Sequence, residues 1–191
     1  MSSNEMIERL VVEVSTNPLN PVLNFNAAVE YEKLNQTASA VGFYLRAVEY
    51  GFNTEPLIAY ASLLRISICM EGQKDRNLTV SNTILQAISF LPARPEAYFL
   101  ISKFYEKSAQ WQESYTFAQI GLMYASQEMN KLPVDVSYIG AEGLIFQKAV
   151  SAWWIGRRNE SIELLKYLES LPNLDSNYKI SVKSNLERIT V

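Results

Sequence analysis

Apolar residues along the chain recur at the spacing of helices, not strands. In residues 95–122, PEAYFLISKFYEKSAQWQESYTFAQIGL, the side chains Tyr98, Ile101, Ser102 and Tyr105 fall at i, i+3, i+4 and i+7. That interval puts all four on one face of a helix. Trp111, Ser114, Tyr115, Ala118, Gly121 and Leu122 mark a second helix in the same way. Only Ser108-Ala109-Gln110 separates the two, so the spacing predicts an antiparallel helical hairpin over 95–126.

Residues 21–51 repeat the arrangement. Ala27, Ala28 and Tyr31 lie on a first helix and Ala40, Tyr44 and Ala47 on a second, with the break near Asn35-Gln36. The step from Tyr31 to Ala40, Tyr44 and Ala47 equals the step from Tyr105 to Ser114, Ala118 and Gly121, which is evidence of a repeat. A third hairpin is predicted over 55–92, with the charged linker EGQKDRN between its helices and Pro92 as a stop. A fourth is predicted over 136–172, turning at Gly156 and stopping at Pro172. Single helices over 4–14 and 176–189 flank the array, the latter carrying Tyr178, Ile180, Leu186 and Ile189. The expected architecture is one domain over 1–191: an all-α, right-handed solenoid (α-α superhelix) of about four hairpins with end helices, roughly ten helices in all.

The units average close to the period of about 34 residues of tetratricopeptide repeats. Small residues let two helices approach, and aromatics fill the space beside them. Ala28 with Tyr31, and Ser102 with Tyr105, fit that need, although no unit carries the full signature. The chain therefore resembles the tetratricopeptide-repeat (TPR-like) helical proteins. The order of NPLNPVLNFNAAVEYEKLNQTASAVGFYLRAVEYG, RPEAYFLISKFYEKSAQWQESYTFAQIGL and AVSAWWIGRRNESIELLKYL is similar to the TPR region that accompanies many bacterial glycosyltransferases. The resemblance implies a binding scaffold, with a glycosyltransferase or glycan-assembly system among its partners. It does not bring the catalytic domain: the sequence has no Asp-x-Asp metal motif, and Asp135 and Asp175 stand in linkers.

Charge and residue usage narrow the functions further. A net charge of −3 argues against nucleic acid, whose binding needs clustered Lys and Arg. The chain has no histidine, which removes every Ser-His-Asp or Cys-His arrangement. Cys69 is the only cysteine, at the end of an apolar helix, and is expected to be structural. Glu160 and Glu163, one turn apart, suit a helix start and its dipole. No enzyme, cofactor or metal is expected. The acidic first segment, MSSNEMIERLVVEV, looks like neither a secretory signal nor a membrane span, and the expected location is cytoplasmic.

A functional face is expected on the concave side, built by the first helix of each hairpin one step round from the packed stripe. This gives Phe25, Val29 and Glu32, with Val22 beside them; Arg65, with Ile58 and Ser62; Phe99, Lys103 and Glu106, with Glu96; and Phe146, with Val150. Trp153, or its neighbour Trp154, adds an aromatic anchor. Phe25, Phe99 and Phe146 bordered by Arg65 and Lys103 suit an extended peptide or a helix. The competing reading is that these rings are shared core between stacked repeats. A concave face fully plugged by the C-terminal helix would count heavily against this reading. Self-assembly into a homodimer is a further alternative.

Overall fold

The computed structural model describes residues 3–189, in which ten α-helices and no strand are found. They are α1 Ser3–Thr16, α2 Pro21–Lys33, α3 Thr37–Gly51, α4 Pro56–Glu71, α5 Asn77–Phe90, α6 Pro95–Lys107, α7 Trp111–Leu122, α8 Ala141–Trp154, α9 Arg158–Ser170 and α10 Ser176–Ile189. Proline opens α2, α4 and α6, where its missing N–H costs nothing. Asn20 caps α2, its side chain accepting from the amides of Val22 and Leu23 at 2.9 and 3.1 Å. The fourth hairpin starts later than its sequence suggests, at Ala141 instead of near Val136.

Three hairpins turn by one backbone device. After α2, α6 and α8 a residue enters the left-handed region: Asn35 (φ 56°), Ala109 (φ 55°) and Gly156 (φ 85°). The next amide reaches back five residues, Gln36 to the Tyr31 carbonyl, Gln110 to Tyr105 and Arg157 to Ala152, each at 2.9 Å. This is the Schellman closure of a helix C-terminus. Its recurrence at one offset confirms in the backbone the repeat first seen in side-chain spacing.

The chain divides into two compact units, 1–91 with 130–136, and 92–129 with 137–191, where the sequence suggested a single domain. In the first, α1 to α5 each pack on the next, and α2 also meets α4. Ala28, Ala40, Tyr44 and Ala47 are fully buried at its centre, and Leu10 and Val14 hold α1 against Ala27. In the second, α6 to α10 follow the same order, and α6 meets α8. Gly121 of α7 lies so close to α6 and α8 that a Cβ there would stand 2.7 Å from the Tyr98 Cβ and 2.9 Å from a Leu144 methyl. Ser151 of α8 donates a hydrogen bond to Ser114 of α7 at 2.7 Å. Leu165, Leu168, Leu174 and Val182 bury the seam of α9 and α10.

Candidate functional site

In the first unit, the first helices α2 and α4 bring Val29, Glu32 and Arg65 together at an open cleft of about 470 Å³, with Lys33, Asn35, Val134 and Asp135 as its other walls. Glu32 is the hub. It accepts from the Arg65 guanidinium through Nε at 3.0 Å and through a second, shorter contact, and from the Tyr44 hydroxyl at 2.8 Å. Burial pushes its carboxyl up, but these hydrogen bonds and the Arg65 charge outweigh burial and hold it below the usual carboxylate range. The thiol of Cys69 feels the same carboxylate. Burial and that negative neighbour raise the thiol to about 12, leaving it a poor nucleophile.

The other wall of the cleft is the chain itself. Residues 130–136 lie on this unit as an irregular, extended strap in which Leu132, Val134 and Val136 alternate inward while Lys131, Pro133 and Asp135 face out. Leu132 and Val134 pack on the cluster containing Phe25, Tyr44 and Ile66. Arg65 donates to the Asp135 carbonyl at 2.8 Å. Arg65 thus joins a carboxylate on one first helix to the backbone of the strap.

The aromatic stripe is not open to a partner. Phe25 is 4% exposed and packs its ring at 5.8 Å from Tyr44; Phe99 is fully buried against Tyr138 and the backbone of Gly143. The physical reason is stacking: a first helix is covered both by its own second helix and by the neighbouring first helix, so its buried stripe is wider than one amphipathic face. Ser62 is buried for the same reason.

In the second unit, Phe146 meets Tyr178 of α10 edge-on at 5.1 Å, so the C-terminal helix covers this part of the first-helix face. Glu106 lies under the same cover. Burial raises its carboxyl, and a hydrogen bond from Gln147 with the charges of Lys103 and Lys107 only partly reverses this. Lys103 sits over the Phe99 ring at 5.9 Å. Trp153 is half-buried, with the Arg158 guanidinium 5.1 Å over its ring, and shares a pocket with Val150 of the expected face.

One cluster escaped sequence reasoning. Glu160 is more than a helix-start charge: it accepts from Lys148 at 2.8 Å and from the Tyr115 hydroxyl at 3.0 Å, and Arg157 approaches to 3.6 Å. Burial opposes its ionisation, but these donors lower it overall. The only sequence signal was an acid three residues after Arg157. Among the described residues no group of three or more His, Cys, Asp or Glu is placed to hold a metal ion, and no helix is long and apolar enough to cross a membrane.

No protein-family model matches the chain, and no curated protein matches it in sequence. Solved structures do match in shape. MamA superposes with a TM-score of 0.66 at 9% identity, covering 97% of this chain and 91% of that one. TTC0263, a thermophilic TPR protein of Thermus thermophilus, gives 0.61 at 15% identity over 97% and 91%. YrrB, described as a TPR protein with an unusual peptide-binding site, gives 0.64 at 11% identity over 95% and 86%. Identities this low speak to architecture alone, and the architecture they share with this chain is the all-α helical array of tetratricopeptide-repeat proteins.

Proposed function

We propose that the protein is a non-catalytic interaction scaffold that binds an extended segment of a protein partner on the first-helix face of its first unit, at Val29, Glu32, Lys33 and Arg65. The observation that carries this reading is the strap. Residues 130–136 lie on the face as a bound peptide would, with alternate apolar side chains inward and a backbone carbonyl held by Arg65. A face that accepts one extended segment has the pockets and the donor for another, beside the strap or in its place. The peptide-binding site named for YrrB is that protein's own, and it makes the class of function reasonable for this fold. Lys103 in the second unit is the other cation of the expected face. A glycosyltransferase and a second copy of the chain are the partners that the sequence resemblance and the self-assembly alternative add to the test.

The test is selection of peptides from a randomised library, with affinities then read by anisotropy of labelled peptides. Lys33→Glu with Val29→Glu should weaken binding about tenfold or more. Leu132→Ser with Val134→Ser, which loosens the intramolecular competitor, should tighten it. Selected peptides indifferent to both pairs of substitutions would sink the reading.

A further inference from the structure

All three tryptophans of the chain gather at one edge of the second unit. Trp111 of α7 and Trp154 of α8 stack at 5.2 Å and 17°, with Trp154 61% exposed. Trp153 and Trp154 also line a pocket of about 330 Å³, together with Val150, Leu165, Asn185 and Ile189. Pockets of this volume are at the small end of ligand sites.

Ser161 of α9 lines the same pocket. It is 1% exposed, and its hydroxyl has no hydrogen-bond partner. The repeat explains why. Ser161 follows Ala152 at the step by which Ser114 follows Tyr105, and Ser114 is satisfied by Ser151 from the next helix of the array. At Ser161 the next helix is α10, whose Asn185 lines the same pocket without hydrogen-bonding to the Ser161 hydroxyl. The terminal repeat therefore keeps a vacant packing position with an unanswered polar atom in it.

The charges at the rim have one sign. Arg188 lines the pocket and Arg158 lies over Trp153, and neither makes an ion pair among the described residues. Arg157 and Lys148, by contrast, are occupied by Glu160. Exposed tryptophan and arginine around an apolar recess is the composition of interface hot spots.

We propose that this pocket and its tryptophan rim form a second docking site, which seats one large apolar side chain of an acidic protein segment. The anchor enters between Trp153 and Leu165, a backbone group of the segment meets the Ser161 hydroxyl, and flanking carboxylates pair with Arg158 and Arg188. The pocket takes in Val150 and Trp153 of the expected face but lies in the second unit, and the proposal does not depend on the cleft at Glu32 and Arg65.

Because no other tryptophan exists, indole emission reports this site directly. Peptides selected from a tryptophan-free library against the full chain should carry one large apolar residue among acids, and should shift and saturate the emission. Replacing that anchor by serine should abolish the shift. Arg158→Glu with Arg188→Glu should weaken binding about tenfold, as should the pocket-filling Ser161→Leu, each with unchanged far-UV circular dichroism, whereas Lys74→Glu, exposed in the linker between α4 and α5, should have no effect. The proposal is overturned if none of the selected peptides shifts the emission, or if those that do bind the arginine variants equally. It is also overturned if octanoate alone saturates the pocket while no peptide is selected, or if light scattering finds a dimer that the arginine substitutions dissolve.

Discussion

Gly121→Ala adds one methyl group where the second unit is tightest. The new Cβ would stand 2.7 Å from the Cβ of Tyr98 and 2.9 and 3.1 Å from the Leu144 methyls. Leu144 can rotate, but the Tyr98 Cβ is fixed to the backbone of α6. Carbon atoms rest at about 3.5–4.0 Å, so α6 and α7 must separate by about 0.8 Å. Overpacking of this kind costs roughly 1–3 kcal/mol. Alanine regains about 0.5–1 kcal/mol through helix propensity. The net expectation is a loss of roughly 1–2 kcal/mol, or about 5–15 °C in Tm for a body of this size.

Gly42→Ala is the matched control. Gly42 lies in α3 with nothing within 4 Å of the added Cβ, so only the propensity gain of about 0.5–1 kcal/mol remains. The assay is urea unfolding followed by tryptophan emission, which reports the second unit alone, and by circular dichroism, which reports all helices. If Gly121→Ala matched or exceeded wild type in stability, glycine would not be setting the approach of α6, α7 and α8. The account of small residues as spacers of the repeat would then be wrong.

Ala109→Gly should stabilise by about 1 kcal/mol in thermal unfolding, since Ala109 holds φ 55° where glycine is free of the Cβ penalty. Arg65→Met leaves the half-buried Glu32 carboxylate without its cation. It should cost roughly 1–3 kcal/mol at neutral pH, below the range for fully buried pairs because both side chains keep some exposure. Glu32 is lowered on folding, so its contribution is present above the unfolded value of 4.5 and is lost as pH falls through the folded value. The gap between wild type and Arg65→Met should therefore narrow in acid. Glu106 has the opposite sign: raised on folding, it favours the native state below 4.5 and penalises it as pH rises through the folded value. Glu106→Gln should raise the urea midpoint at pH 7, with the advantage disappearing below pH 4.5; a lower midpoint at pH 7 would contradict the burial of that carboxyl.

The hairpins could be read from sequence because each rests on local information: a 3.6-residue apolar period, proline at first positions, and a small residue wherever two backbones approach. Ala40, Ser114 and Ser161 occupy the same step of their repeats, and all three are buried. The face could not be read the same way. Assigning Phe25 and Phe99 to a groove assumed that a first helix is covered on one side, whereas stacking covers it on two. The strap was hidden for a different reason. Its signal is Leu132-Val134-Val136, an alternation of period two, and a search tuned to helices passes over it as linker. Glu160 and Glu32 became hubs through partners 12 to 45 residues away, at Tyr44 and Tyr115, separations that no local pattern encodes.

These three kinds of failure lead to the same view of function. A repeat array makes nearly every first-helix residue structural, because each layer is core for the next; specificity is left to places where the repetition is broken. Here the breaks are the strap from the irregular 130–136 segment, which brings a carbonyl to Arg65, and the last layer, where the Ser161 hydroxyl has no partner of the kind Ser151 gives Ser114. At both, a polar group or an apolar recess is shaped by a repeat but not completed by one. Partner recognition by this protein is therefore expected to follow the departures from the repeat pattern and not the pattern itself. Substitutions at Lys33 and Arg188 should change binding while leaving stability within about 0.5 kcal/mol, the reverse of what Gly121→Ala should do.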